Sequence, residues 1–328
     1  TRDAQTTIRE IRGLENAGCE LVRVAVKDFR AASAIKKIKK KIKIPLVADI
    51  HFDYRLAIAS MENGADKIRL NPGNIYREAH IREVADLAKK RRIPIRVGVN
   101  SGSVKIKGRM RRVTSDDLVA SALDYTKILE KAKFYDIIVS LKASDVLTTI
   151  EAYRSFSKKS SYPLHLGITA AGLLSTGLVK SSIGIGVLLL EGIGDTIRVS
   201  LTGGSCEEVI AAKNILQALG LRRFGPEIIS CPTCGRCQVD LQKIVQQVAS
   251  RIIKDERCTR KICFFPRIAI MGCEVNGPGE AKDSDIGIAC GKGSGVIFKK
   301  GKIIKKVKEK DIVRELLNET RRKMYNRG

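Results

Sequence analysis

Lys67-Ile68-Arg69-Leu70-Asn71-Pro72-Gly73-Asn74 is a short apolar run that carries one arginine and stops on turn residues. Helical periodicity follows over residues 76–92, and then a second run, Ile95-Arg96-Val97-Gly98-Val99. Strand, helix and strand in that order make a βαβ unit. Outward from it the same alternation repeats. Strand-type runs cover 21–26, 45–50, 137–141, 164–168 and 196–201, separated by helix-length stretches of which 115–134 is the clearest. The runs lack polar alternation, as expected of parallel strands buried on both faces. Repeated βα units build either a doubly wound sheet or a closed barrel, and the count chooses between them. Seven strands are visible and the chain opens on a helical stretch, 6–17, so one strand upstream would make eight. The sequence predicts an α/β fold: a (β/α)8 TIM barrel over residues 1–223, its first strand absent from this chain.

Composition changes at Phe224-Gly225-Pro226. Over 224–328 come one strand into a cysteine cluster, a helix at 240–253, a cysteine-bearing loop at 257–263, several short strands and a basic helix from Glu309. This reads as a small α+β domain of ordinary size. No window of about eighteen uninterrupted apolar residues exists, which excludes a membrane-spanning helix. The polar opening Thr1-Arg2-Asp3-Ala4 has no signal-peptide character. Nine cysteines, an odd number with three packed into seven residues, point to metal binding in a reducing cytosol.

The chain carries 61 Lys and Arg against 35 Asp and Glu, a net charge of +26 that favours a phosphate-rich partner. Much of it lies in two runs, six lysines within 36–43 and twelve basic against four acidic residues from Lys299 onward; both read as solvated surface. Aromatics are only 5 % and Trp is absent, so stacking platforms for nucleic acid are poorly supplied and none is expected as a partner.

In barrels of this kind function sits at the C-terminal ends of the strands. Those ends carry Arg23; Asp49-Ile50-His51; Arg69 and Asn71; Arg96 and Asn100; Lys142; Thr169; and Arg198 with Ser200. A charge inside an apolar strand is costly unless compensated, and the guanidinium fork suits carboxylate or phosphate oxygens. Asp49 and Asp195 could account for any single arginine. Four arginines plus Lys142 outnumber the acids within the strands, so a polyanionic small molecule is expected at the barrel mouth. Other signals are weaker. Ser182-Ile183-Gly184-Ile185-Gly186 lacks the third glycine of a dinucleotide loop, His51 and His165 read as structural, and His80 as solvated surface.

Cys231-Pro232-Thr233-Cys234-Gly235-Arg236-Cys237 leaves a strand as a C-x2-C-x2-C run. A zinc ribbon needs a second C-x2-C knuckle, and the later cysteines, Cys258, Cys263, Cys273 and Cys290, are spaced singly. Close thiolates with a distant further ligand suit an iron–sulfur cluster. In Cys273-Glu274-Val275-Asn276-Gly277-Pro278-Gly279-Glu280 a turn-rich loop can bring a thiolate and a carboxylate to one metal, the carboxylate being the harder, more labile ligand to iron.

These blocks together resemble the hydroxymethylbutenyl diphosphate synthase family, the iron–sulfur enzymes of the non-mevalonate isoprenoid pathway. The resemblance runs through Val47-Ala48-Asp49-Ile50-His51-Phe52-Asp53, Arg69-Leu70-Asn71-Pro72-Gly73-Asn74, Asp195-Thr196-Ile197-Arg198-Val199-Ser200, the block from Cys231 to Arg236 and Asn276-Gly277-Pro278-Gly279-Glu280. It implies a barrel that binds 2-C-methyl-D-erythritol 2,4-cyclodiphosphate, joined to a domain with a [4Fe–4S] cluster. Cluster ligands would be Cys231, Cys234, Cys273 and Glu280. Substrate contacts would be Arg23, Arg69, Asn71, Arg96, Asn100, Lys142, Arg198 and Ser200, with Asn276 and Glu280 catalytic. It also implies a cytoplasmic oxidoreductase, reduced flavodoxin or ferredoxin as electron donor, and a head-to-tail homodimer in which one subunit's cluster domain caps the other's barrel. Two positions depart from the family pattern: Ala170 stands where a Glu is usual, and Cys237 adds a third nearby thiol. The alternative weighed is an aldolase-type phosphate-binding barrel with a structural metal domain and Lys142 as Schiff-base former.

Overall fold

Five parallel strands, β1 (Val22–Val26), β2 (Leu46–Ile50), β3 (Lys67–Leu70), β4 (Ile95–Asn100) and β5 (Ile137–Lys142), lie side by side in chain order. An isolated parallel bridge, Val139 to Leu164, carries the order on to a two-stranded sheet of β6 (His165–Leu166) and β7 (Thr196–Ile197). In this computed structural model the described residues are 1–104, 111–253, 265–273, 279 and 281–325. They divide into two compact units, Thr1–Leu221 and Arg222–Gly328.

In the first unit helices alternate with the strands, α1 leading: α1 (Ala4–Ala17), α2 (Phe29–Lys39), α3 (Arg55–Glu62), α4 (Glu78–Arg91), α5 (Ser115–Lys131), α6 (Val146–Ser157), α7 (Leu174–Leu190) and α8 (Ser205–Ala218). Local chemistry sets their ends. Asp3 caps α1 by accepting from the Gln5 and Thr6 amides, Gly18 ends it in the left-handed conformation, and Thr114 with Asp117 forms a capping box on α5. Each helix packs on the next, and α8 returns to α1, where Lys213 Nζ donates to the Ala17 carbonyl at 3.2 Å. The helices thus close a ring around the strands. Ile35, Ile50, Ile68, Ile95, Val97, Leu141 and Phe156 are buried between the layers.

The last two strands are shorter than the runs at 164–168 and 196–201 suggest. Between them and the next bridge, Leu173 to Thr202, the chain places Ala170 (φ +50°) and Gly172 (φ +108°) in the left-handed region, which breaks the ladder.

The second unit holds a five-stranded sheet in the order β12-β11-β10-β9-β8: β8 (Glu227–Ser230), β9 (Arg267–Met271), β10 (Ile286–Gly291), β11 (Ser294–Lys299) and β12 (Lys302–Lys308). β8, β9 and β10 run parallel, and the last three pair antiparallel. Period-two alternation sends Ile268, Ile270, Ile286 and Ile288 to a core with α9 (Leu241–Ile253) and α10 (Ile312–Tyr325). Ala269, Met271, Ala289 and Phe298 form a smaller cluster of their own. The basic C-terminal helix begins at Ile312, after a single 3-10 turn over Glu309–Asp311. The expected cysteine loop at 257–263 lies outside the described residues.

Candidate functional site

The barrel strands bring their charged side chains together. Arg23, Asp49, Arg69 and Arg96 come from four neighbouring strands, with Arg69 opposite both Asp49 and Arg96 in register. Asp49 is the shared counter-charge: its carboxylate lies 3.0 Å from Arg69 Nη1 and 3.1 Å from Arg23 Nη1. Burial pushes the Asp49 carboxyl up, but the Arg69 and Arg23 guanidiniums outweigh it and hold the group below the usual carboxylate range.

Arg69 is almost wholly enclosed, and its Nη2 also donates to the Gly98 carbonyl at 2.8 Å. Gly98 is what lets it in: a Cβ there would stand 2.3 Å from Arg69 Nε. The Asn100 amide, turned with its oxygen inward, accepts from Arg69 Nη2 at 3.2 Å. Asn71 is buried, and its Oδ1 accepts from the Gly73 amide at 3.0 Å and from Ser103 Oγ at 3.1 Å, so it shapes the turn after β3.

Two cations have no carboxylate within ion-pair reach among the described residues: Arg96, whose Nε is buried and unpartnered, and Lys142. Burial first, then Arg23 and Arg69, draws the Arg96 guanidinium down to about 9. Burial and then Arg96, Arg198, Arg23 and Arg69 push the Lys142 ammonium well below the ordinary lysine range. Lys142 Nζ lies against β6, 2.7 Å from where a Cβ on Gly167 would stand.

Arg198 follows β7 and faces Glu208 of α8 at 3.7 Å; the same glutamate accepts from the Leu201 amide at 2.9 Å, beside the half-buried Ser200. Glu208 is a partner that sequence reading missed, since it sits on the following helix. Asp195, weighed as an arginine partner, is used otherwise: its carboxylate accepts from the Leu164 amide at 2.7 Å.

Five cations therefore meet two carboxylates, Asp49 and Glu208. Such a surplus in a buried setting is costly unless an anion completes it, and phosphate oxygens are the natural complement of several arginine forks. Two residues at the same strand ends hold left-handed backbone although neither is glycine: Phe52 (φ +60°) after β2, with an exposed ring, and Ala170 (φ +50°) after β6. Strain of this kind gathers at functional sites.

In the second unit β8 and β9 are parallel neighbours, so the segments leaving them emerge side by side. Cys231 follows one and Cys273 the other, and the Gly272 amide donates to Cys231 Sγ at 3.2 Å. Arg236 pulls the exposed Cys234 thiol below its ordinary range, first through a hydrogen bond from its backbone amide. The Cys237 thiol donates to the Val239 carbonyl at 3.3 Å and packs so closely that a Cβ on Gly272 would stand 2.5 Å from it. Burial pushes the Cys290 thiol up to about 12, with Cys237 adding to it.

Among the described residues no group of three or more His, Cys, Asp or Glu side chains stands as a finished metal set. Glu280 and Asn276, like Cys258 and Cys263, lie outside those residues. The donor chemistry nonetheless fits iron: Cys231 and Cys273 leave two adjacent strand ends, Cys231 accepts a backbone N–H bond, and Cys234, three residues on, has a lowered pKa. No helix among the described residues is long and apolar enough to cross a membrane.

A parallel barrel with a cationic mouth, followed by a cysteine-bearing α+β unit, defines a two-domain TIM-barrel protein. The family model described as the GcpE TIM-barrel domain matches residues 1–213, and that of the GcpE protein C-terminal domain matches residues 227–322. The chain belongs to the GcpE family. It is similar to the 4-hydroxy-3-methylbut-2-en-1-yl diphosphate synthase (flavodoxin) of Caldanaerobacter subterraneus, with 57 % identity over 97 % of this chain and 88 % of the relative. The proteins of the same name from Clostridium acetobutylicum (54 % identity, 97 % and 90 % covered) and Thermodesulfovibrio yellowstonii (53 %, 98 % and 91 %) are similar to it as well.

Proposed function

We propose that this chain is the reductive dehydroxylase its relatives are named for: an oxidoreductase of isoprenoid synthesis that converts 2-C-methyl-D-erythritol 2,4-cyclodiphosphate to 4-hydroxy-3-methylbut-2-enyl diphosphate. The reaction takes up two electrons and two protons and releases water as the ring opens. The observation that carries the reading is the surplus of cations within the barrel, which suits a polyanionic ligand such as a diphosphate. The aldolase-type alternative is not favoured, because the relatives of this family carry the synthase name along nearly the whole chain.

Arg23, Arg69, Arg96, Lys142 and Arg198 bind the diphosphate oxygens in this proposal. Asp49 keeps Arg23 and Arg69 aimed before ligand arrives, which lowers the ordering cost of binding. Asn71, Asn100 and Ser200 orient the substrate. Cys231, Cys234 and Cys273, with Glu280 as the labile fourth ligand, would hold a [4Fe–4S] cluster. When bound, that cluster supplies single electrons and a Lewis-acidic iron. Asn276 and Glu280 are the catalytic candidates of that segment. Cys237, whose thiol donates to the Val239 carbonyl, is left out of this ligand set.

Reduced flavodoxin is the expected electron donor, ferredoxin the second choice, and the basic surface runs suit an acidic protein. A head-to-tail homodimer in the cytoplasm completes the proposal. The experiment is anaerobic purification, iron and acid-labile sulfide analysis, and assay of the cyclodiphosphate with reduced flavodoxin. Iron with sulfide and formation of the butenyl diphosphate are expected; zinc without sulfide would sink the reading.

A further inference from the structure

His165 is the one histidine buried among the barrel's cations. It is only 5 % exposed, and its Nδ1 lies 2.8 Å from Thr196 Oγ1, the residue directly opposite it in the parallel register. The Tyr153 hydroxyl on α6 donates to its carbonyl at 2.6 Å and accepts from the Leu141 amide at 3.1 Å, fixing β6 against β5. The second ring nitrogen, Nε2, is buried with no partner. A buried polar atom left without a bond is costly, and it persists where it has another use.

Burial above all pushes the imidazole well below the ordinary histidine range, and the charges that add to it are cations: Lys142 on β5 most strongly, then Arg96 on β4, Arg23 on β1 and Arg198 after β7. In such a field a lone pair on Nε2 is favoured over an N–H. The ring proton therefore belongs on Nδ1, donated to the hydroxyl of Thr196, an exposed residue. Lys142 is also close by placement. Its Nζ lies over Gly167, two residues from His165 and hence on the same side of the extended chain.

We infer that His165 is a positioning residue for Lys142: its Nε2 lone pair, unbonded in this structure, receives the lysine ammonium as the diphosphate binds and steadies it there, while Thr196 fixes the tautomer that makes this possible. The inference rests on the anion site of the proposed function and gives that site a residue behind the ones that touch ligand. An acceptor here favours charged Lys142 where four arginines and burial oppose it. Ligand phosphate then finishes the charging, so binding takes up a proton wherever the free lysine is partly neutral.

The test is titration calorimetry of inorganic pyrophosphate and of the cyclodiphosphate into the full-length holoenzyme, repeated in buffers of different ionisation enthalpy to count protons. His165→Phe should lose about tenfold or more in affinity, the usual worth of a hydrogen bond to a charged group. Its proton uptake should also begin at lower pH, because Lys142 loses a group that favours its charge. His165→Asn, whose amide oxygen can stand in for the lone pair, should recover affinity to within about threefold of wild type. Thr196→Val removes only the hydroxyl of an exposed residue and should cost about threefold; it serves even if His165→Phe folds poorly.

Equal losses for Phe and Asn with an unchanged proton count would mean that His165 merely fills space, and the inference falls. Full affinity in Thr196→Val would remove the tautomer argument and overturn it equally. Wild-type protein that binds pyrophosphate but not the cyclodiphosphate would defeat the substrate reading, while the pyrophosphate comparison would still decide the role of His165.

Discussion

The barrel and the cysteine-bearing unit both build their chemistry on parallel strands, yet they hold it in opposite ways. In the barrel, Arg69, Arg96 and Lys142 spring from the strands themselves, are buried, and inherit their positions from sheet register. In the second unit the thiols sit on segments that have already left β8 and β9, and one of them, Cys234, is exposed. The barrel site is organised before its ligand arrives and carries the electrostatic cost of waiting. The thiols are the reverse case, since a metal supplies part of the organisation on binding. Single atoms should therefore matter in the barrel, and ligand identity should matter in the cysteine unit.

The sharpest separation of the two comes from the ligands. Cys231→Ser, Cys234→Ser and Cys273→Ser should each lose most of the bound iron, measured by metal and sulfide analysis, while pyrophosphate affinity stays near wild type. Cys237→Ser should keep its iron. A Cys237→Ser protein without iron beside a Cys273→Ser protein that retains it would invert the assignment.

Gly167→Ala tests the barrel side. Its new Cβ would stand 2.4 Å from the Arg198 carbonyl and 2.7 Å from Lys142 Nζ. Displacing a buried charged group from its anion costs about 3 kcal/mol, so pyrophosphate affinity should fall roughly a hundredfold with iron content untouched. Loss of iron in this variant would show that the two sites are not separable.

Ala170→Glu restores the carboxylate usual in the family at a backbone position that is already left-handed, so it adds little new strain over alanine. Turnover should rise by about tenfold or more if a placed acid–base group is worth its ordinary amount, with cluster content unchanged. Equal turnover in the two proteins would make that carboxylate dispensable here. Arg96→Lys should have the smallest effect, several-fold in diphosphate affinity, because an ammonium keeps the charge but loses the fork. An unchanged affinity would take Arg96 out of the phosphate site.

The strand order and the cations were legible in the sequence because buried parallel strands leave unmistakable apolar runs and an arginine inside one is conspicuous, although Arg23 and Arg96 stand second in β1 and β4 and not at the C-terminal ends expected of them. Pairing was less legible. Asp195 looked like a counter-charge but binds the Leu164 amide, while Glu208 does that work from the next helix. Linear order does not say which carboxylate a strand end will meet. The left-handed backbone at Phe52 and Ala170 left no mark, since neither is glycine or asparagine. Spacing also treats Cys231, Cys234 and Cys237 alike, whereas in the structure Cys231 accepts from the Gly272 amide, Cys234 is exposed and Cys237 donates to the Val239 carbonyl.

The closure of the helix ring has a consequence in the time domain of protein synthesis. The bond from Lys213 to Ala17 joins residues 196 positions apart. At about 5–20 residues per second, the first helix waits on the order of 10–40 s on the ribosome before its last neighbour exists. Through that interval the flank of α1 that α8 will cover faces whatever else is nearby. A destabilised α1–α8 contact should therefore show first as lower soluble yield from cells, before it shows as reduced activity of the protein that survives.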